Sequence, residues 1–298
     1  MSLLDYAELP DGLKRPSPLT EFSFKPPRYF LLTGATGFLG AYLLCALQED
    51  PASEILCLVR CATLAEGQRR LLENLDRYGL EADFSRIQVE SGRIENEQFG
   101  WSPAVWKRRA LEVDAVVHAA ARVSFLPGLD QLAPINIGGL LQVLAFAAES
   151  EKPLPIHWAS TYSVFNAADY VGESLALENP LRGTGAGFRR GYPASKWAAE
   201  VLADRARAQG WSITTHRVGM LWGDTRSGRG KSDDILTLNI AACLEMGLAQ
   251  DIDFLLHITP VDFVARAMSY LVRLGRLPHA HYHLVTENAI SWSSMIDR

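Results

Sequence analysis

Tyr192 and Lys196 stand four residues apart in Tyr192-Pro193-Ala194-Ser195-Lys196, at the head of a helical pattern that continues through Trp197-Ala198-Ala199-Glu200-Val201-Leu202. On a helix that spacing puts both side chains on one face, one turn apart. A free phenol with a pKa of about 10 shuttles protons poorly at neutral pH, whereas a nearby ammonium stabilises the phenolate and lowers that value. A lowering of about two units is worth about 3 kcal/mol, within reach of a charge held close in a partly dry site. Such pairs more often mark a solvated helix face. This one follows five strand-like segments, where a carbonyl reductase needs it. Just upstream, Pro155-Ile156-His157-Trp158-Ala159-Ser160-Thr161 reads as an apolar strand ending in two hydroxyl residues. At the carboxyl end of a parallel strand they face the ligand crevice, so Thr161 is placed to hold a substrate oxygen while Tyr192 protonates it. For Ser160, a loop-capping hydroxyl and a direct role stand level.

A second constellation is the run Thr33-Gly34-Ala35-Thr36-Gly37-Phe38-Leu39-Gly40, which follows the strand-like Tyr29-Phe30-Leu31-Leu32 and opens a helical pattern. Gly34 permits a tight turn, Gly37 lets the backbone approach a pyrophosphate, and Gly40 lets the helix pack close to the sheet. The helix N-terminus offers free N–H groups and the positive end of its dipole to phosphates. A plain strand-to-helix turn uses glycines too, so the next strand matters. Ile55-Leu56-Cys57-Leu58-Val59 ends in Arg60, about twenty residues beyond Gly40, where a carboxylate for a ribose 2′-hydroxyl is usual in NAD enzymes. A guanidinium there can pair instead with a 2′-phosphate and argues for NADP(H), the plainer alternative being a surface arginine at a strand end. Arg69 or Arg70 on the following helix supplies a second contact, and Arg70 is taken as the candidate.

These residues need a scaffold that brings strand ends together. Strand patterns near 28–33, 54–59, 86–90, 113–117, 155–160 and 211–217 alternate with helical patterns near 38–48, 63–78, 103–111, 130–149 and 192–209. Such alternation predicts an α/β fold, a doubly wound parallel sheet of Rossmann type whose crevice lies at the strand carboxyl ends. Residues 1–25, with Pro10, Pro16 and Pro18, read as a linker or arm. Residues 26–219 form the expected NADP-binding domain and 220–298 a smaller substrate-binding region, with an apolar helix near Ile235 to Leu248. The stretch from Asn166 to Gly191 is long for a connector and reads as a substrate loop or a flexible one.

The glycine turn, Thr161, Tyr192 and Lys196 together resemble the extended short-chain dehydrogenase/reductase superfamily. Leu32 to Leu44, Cys57-Leu58-Val59-Arg60, Gly191 to Glu200 and Thr259-Pro260-Val261-Asp262 resemble more narrowly the thioester reductase domains that terminate nonribosomal peptide synthetases, some polyketide synthases and carboxylic acid reductases. The resemblance spans about Pro26 to the end, and the proline-rich lead resembles the linker after a carrier domain. It implies NADPH-dependent reduction of an acyl or peptidyl thioester on a carrier-protein phosphopantetheine, giving an aldehyde and, with a second hydride, an alcohol. Thr161, Tyr192 and Lys196 are then the catalytic candidates, Lys196 also holding the ribose hydroxyls. Thr33, Gly34, Thr36, Gly37, Phe38, Leu39, Gly40, Arg60, Arg70, Ala120, Tyr192, Lys196 and Val218 are the implied cofactor contacts. Asn136 has two readings, support of Lys196 through water or a structural amide. Departures from the family pattern are Arg93 after Gly92, where an Asp near the adenine is usual, and His118-Ala119-Ala120-Ala121, where an Asn normally follows the His. The chain also stops soon after Ile290-Ser291-Trp292, where related domains continue, so the substrate region is expected to be incomplete.

Composition fits such an enzyme: 298 residues, 48% hydrophobic, are enough for a large core. The net charge of −5 gives no support for nucleic-acid binding, which is not expected; Arg189-Arg190 and Arg226, Arg229 and Lys231 offer either a local docking surface or solvated loop charge. Cys45, Cys57, Cys61 and Cys243 show neither metal spacing nor a disulfide framework and suit a reducing cytoplasm. No metal is expected, since His279, His281 and His283 on one strand face converge poorly. No apolar run approaches the roughly 18 residues of a membrane span, and the N-terminus lacks signal-peptide features. Two further function classes remain: an extended short-chain reductase or epimerase for a free metabolite or acyl-CoA, and a non-catalytic NADP-binding regulator, which would need neither Tyr192 nor Lys196.

Overall fold

Phe30 and Leu32 pack into one apolar cluster and Leu31 into another, all three fully buried. The strand Tyr29–Thr33 (β1) is thus covered on both faces, as a central parallel strand must be. The computed structural model describes residues 2–13, 26–124, 126–166, 168–172, 175–252, 254–274, 280–287 and 289–296. After β1 come Phe38–Leu47 (α1), Glu54–Val59 (β2), Leu64–Tyr78 (α2), Ile87–Ser91 (β3), Pro103–Glu112 (α3) and Ala115–His118 (β4). Leu129–Asn136 (α4), Gly138–Ala148 (α5), Ile156–Thr161 (β5), Gly191–Ala208 (α6) and Ile213–Val218 (β6) complete the sequence-predicted series. The C-terminal part adds Met220–Trp222 (β7), Ile235–Met246 (α7), Leu255–Leu256 (β8), Ile258–Pro260 (β9), Val261–Leu274 (α8), His281–Leu284 (β10), Ile290–Ser291 (β11) and Trp292–Ile296 (α9).

The main sheet has seven parallel strands in the order β10-β6-β5-β4-β1-β2-β3. Side chains from α3, α5 and α6 cover one face, and those from α1, α2 and α8 the other. The doubly wound α/β reading therefore holds, and the strand order reverses between β1 and β4, where such sheets bind ligands. Residues 220–298 are not a separate body: α8 packs on α1 and β10 pairs with β6, whereas α7, β8 and Trp292 share a small cluster of their own. Part of the N-terminal arm is also docked. Ala7 is fully buried, and Arg205 of α6 donates to the carbonyls of Leu4 and Ala7.

Local chemistry explains where the helices begin. Thr63, Ser102 and Asp234 each accept a backbone N–H in the first turn of α2, α3 and α7, and Gly79 and Gly247 end α2 and α7 in the left-handed conformation. The helix expected over 130–149 is broken into α4 and α5 at Ile137. Pro134 withholds an N–H, and Gly139 packs so tightly that a Cβ there would lie 2.9 Å from Ile94. The twenty residues Leu129–Ala148 do have the length and hydropathy of a membrane span, contrary to the sequence reading. They are mostly buried, with Leu140, Val143 and Leu144 in the core between α3 and α6.

Candidate active site

The glycine turn is set by close contacts rather than by flexibility. Gly34 has φ +80°, and a Cβ on it would sit 2.7 Å from the backbone of Ala119 and Ala120 after β4. Gly37 N–H donates to the Gly34 carbonyl at 2.9 Å, and Asn74 of α2 donates to the carbonyls of Ala35 and Gly37. Gly37 begins α1 without a side-chain cap, so the first N–H groups, at Phe38 and Leu39, have the unfilled donor capacity of a bare helix start. Thr36, Phe38 and Leu39 are half-buried around this end and Gly37 is exposed. Thr33 is fully buried: its hydroxyl bonds His118 Nδ1 at 2.7 Å and accepts from Ala120 N–H, so its side chain braces the turn.

Arg60 is exposed directly after β2, and the Arg70 guanidinium donates to its carbonyl, placing both arginines at one strand end. Gly92 N–H donates to the Val59 carbonyl at 3.0 Å, which sets the start of the next loop beside Arg60. Arg93, in place of the family's usual carboxylate, is exposed there beside Glu95. An uncapped helix start, a cradle that a Cβ would fill and two guanidinium groups at the end of β2 fit a dinucleotide.

Across the crevice, β5 and β6 place Thr161 beside Val218. The Thr161 hydroxyl bonds the phenol of Tyr192, which stands in the first turn of α6. Lys196, one turn on, is 2% exposed; its ammonium donates to the Ala159 carbonyl at 2.7 Å and lies 4.2 Å above the Trp158 ring. The structure brings these residues together, but one expectation fails. Burial pushes Tyr192 up to about 12, against the pull of the Thr161 hydrogen bond, so the phenol is not depressed. The reason is geometric: the Lys196 ammonium turns toward Ala159 and Trp158, and its own burial brings it down to about 7 despite the attraction of Glu200.

Burial and hydrogen bonding decide three further readings, and only that of Ser160 is overturned. Ser160 neither caps the loop nor faces the crevice, because its hydroxyl donates to Glu200 at 2.7 Å in the interior. Asn136 ties the backbone of Arg122 to the Ser195 hydroxyl, the contacts of a structural amide. His281 bonds Asp204, and His283 accepts from Arg217, so neither converges on a common point. His279 lies outside the described residues, as do Pro16 and Pro18 of the arm.

The sequence reading missed a buried ion pair. Glu200 and Arg217 are both fully buried, with Arg217 Nε 2.7 Å from the Glu200 carboxylate. Two signals could have found it: Glu200 recurs four residues after Lys196 on the same helix face, and Arg217 interrupts a strand whose neighbours are buried. It also missed His118, held neutral with its pKa brought down to about 3 by burial and then by the Lys196 charge. The Thr33 hydroxyl, which accepts from Ala120 N–H, has both a proton and a second lone pair to offer His118 Nδ1, so this contact is satisfied by either neutral tautomer of the imidazole.

The parallel sheet, the uncapped glycine turn and the Tyr–Lys helix face define a nicotinamide-nucleotide-binding oxidoreductase of the extended short-chain dehydrogenase/reductase kind. Residues 32–268 match the NAD-binding family described as male sterility protein, and the chain belongs to that family. It is similar to the solved terminal R domain of the myxalamid PKS-NRPS biosynthetic pathway, with 32% identity and a TM-score of 0.88, over 99% of this chain and 75% of that one. It is 33% identical over 269 residues to a linear gramicidin synthase chain of Brevibacillus parabrevis, covering 89% of this chain and 5% of that protein. It is likewise 33% identical over 249 residues to the L-2-aminoadipate reductase large subunit of Penicillium chrysogenum, covering 79% of this chain and 18% of that protein. The chain thus spans a small part of the curated relatives it matches.

Lys196 makes a pH-dependent contribution to stability whose sign is fixed. Unfolded, it keeps its proton up to its ordinary value of 10.5; folded, it releases it near 7. Between those values the unfolded chain binds more protons, so this group's contribution rises with pH by up to about 1.4 kcal/mol per unit. Urea unfolding of the wild type and Lys196→Met between pH 7 and 9 should show a wild-type stability that climbs relative to the variant. Parallel curves would mean that Lys196 titrates normally.

Proposed function

We propose that this chain uses NADPH to reduce an acyl or peptidyl thioester presented on a carrier-protein phosphopantetheine, releasing an aldehyde. The observation that carries this reading is the meeting of Thr161, Tyr192 and Lys196 at the carboxyl end of β5, across from the glycine turn, in a chain similar to a terminal R domain. In this reading, residues 26–219 bind the nucleotide and 220–298 flank the substrate, with α8 and β10 completing the sheet layers.

Arg60 and Arg70 would hold the 2′-phosphate, the α1 N-terminus with Gly34, Thr36, Gly37 and Gly40 the pyrophosphate, and Ala120, Val218 and Lys196 the ribose and nicotinamide side. When bound, the nicotinamide supplies a hydride to the thioester carbonyl. The Thr161 hydroxyl donates a hydrogen bond to the developing oxyanion. Tyr192, whose raised pKa keeps its proton in place at neutral pH, hands that proton to the same oxygen. Lys196, whose ammonium faces the Ala159 carbonyl and the Trp158 ring rather than the phenol, serves the ribose, and solvent restores the proton of Tyr192. Collapse of the resulting hemithioacetal frees the pantetheine thiol and the aldehyde, and a second round would give the alcohol.

Arg60→Asp replaces attraction by repulsion at the 2′-phosphate alone, so it should weaken NADPH by about tenfold or more while leaving NADH nearly unchanged. Calorimetric titration of both nucleotides decides the point, and an equal loss for the two would place the phosphate elsewhere.

Tethering raises the effective concentration of a carrier-bound thioester at the crevice. Mass analysis of products with NADPH should therefore show kcat/KM well above that for the same acyl group on a short soluble thiol. The gap should narrow as salt screens an acidic carrier from Arg189, Arg226 and Arg229, which are exposed. Equal reduction of both substrates would favour a reductase of free metabolites. In the same assay Tyr192→Phe should lower turnover by about a hundredfold or more with nucleotide affinity retained, the contribution of a positioned general acid.

A further inference from the structure

Arg217 lies on β6 next to Ser160 of β5, one residue before Val218, and its guanidinium is fully buried under α6. It satisfies Glu200 through Nε and also donates to the carbonyls of Leu177 at 3.2 Å and Asn179 at 2.6 Å. Between those two carbonyls, the Glu178 carboxylate accepts the backbone N–H of His283 on the edge strand β10. Phe165 packs under the guanidinium at 4.8 Å, and His283 accepts from it at 3.0 Å. The segment 175–180 is thereby held by two main-chain carbonyls and the Glu178 carboxylate at the carboxyl ends of β6 and β10, one residue before the level at which Val218 pairs with Thr161. The side chains of Leu175 and Leu177 remain 67% and 51% exposed.

An ion pair is an expensive way to fill this space. Burying two charges costs several kcal/mol each, and apolar residues of similar size commonly do as well for stability. What an apolar pair lacks is a planar fork that binds a carboxylate and two backbone carbonyls in fixed directions. Resting on the functional reading above, we propose that Arg217 and Glu200 are positioning residues for the reduction: the pair holds the strap 175–180 so that Leu175 and Leu177 form the wall met by the acyl part of the thioester.

The test is Arg217→Lys, which keeps a buried positive charge beside Glu200, and leaves the Glu200 charge near Lys196 in place, but loses the planar fork. Circular dichroism and thermal melting establish that the variant folds, and a variant that does not fold is replaced by Glu200→Gln with Arg217→Met, which removes both buried charges together and is read by hydrogen exchange of the strap alone. The expected result has three parts. NADPH affinity stays within about twofold of wild type. Amide hydrogen exchange over 175–179 speeds up about tenfold or more. KM for the acyl-carrier substrate rises about tenfold while kcat changes less than about threefold, since the loss falls on binding that ground and transition states share. A strap that exchanges as slowly as in the wild type, or an unchanged KM, overturns the proposal. Failure of the functional reading is seen separately, as absence of thioester reduction by the wild type; the exchange measurement alone then decides whether the pair holds the strap.

Discussion

A Cβ on Gly40 would lie 2.0 Å from the carbonyl oxygen of Gly34, closer than any side chain tolerates. That contact holds α1 against the end of β1, and the site depends on it. Moving the helix outward by one methyl group would carry its bare N–H groups away from the crevice, and Gly34 itself has no room to follow because Ala119 and Ala120 press on its other side. The remaining devices serve the same geometry: Asn74 fixes the two carbonyls of the turn, and Thr33 with His118 ties β1 to β4 beneath it. A helix start held this way is preorganised toward an anion, since the bare N–H groups at Phe38 and Leu39 have no side-chain cap to displace.

The opposite wall of the crevice is governed by desolvation. The same burial that makes the interior of α6 well packed raises Tyr192 and lowers Lys196, so each leans toward its neutral form. A phenol that keeps its proton suits an acid, and a lysine near neutrality can give up or regain one without a large penalty. Glu200, the nearest counter-charge, is bound to Arg217 and Ser160, which limits how far it can hold the Lys196 proton. Charge placement and strap geometry are thus two consequences of one buried network.

Much of this was legible in the sequence, for identifiable reasons. The strands and the first helices were read almost to the residue because apolar runs bounded by Gly, Pro and capping hydroxyls carry local information. The Tyr192–Lys196 face and the glycine turn were legible because their function depends on short fixed spacings. The break between α4 and α5 was half-written, in Pro134 and Gly138-Gly139, but its location depends on contact with Ile94, which lies far away in the chain.

By itself the sequence determined the doubly wound parallel sheet and which side chains meet at the carboxyl ends of its strands, because periodicity and local motifs act over a few residues. Only the tertiary structure decided the protonation tendencies of Tyr192 and Lys196, the inward turn of Ser160, the return of β10 to the sheet and the pairing of Glu200 with Arg217. Each of these depends on what a side chain meets from a distant segment and on how far water is excluded from it. Neither quantity is a property of any short stretch of chain.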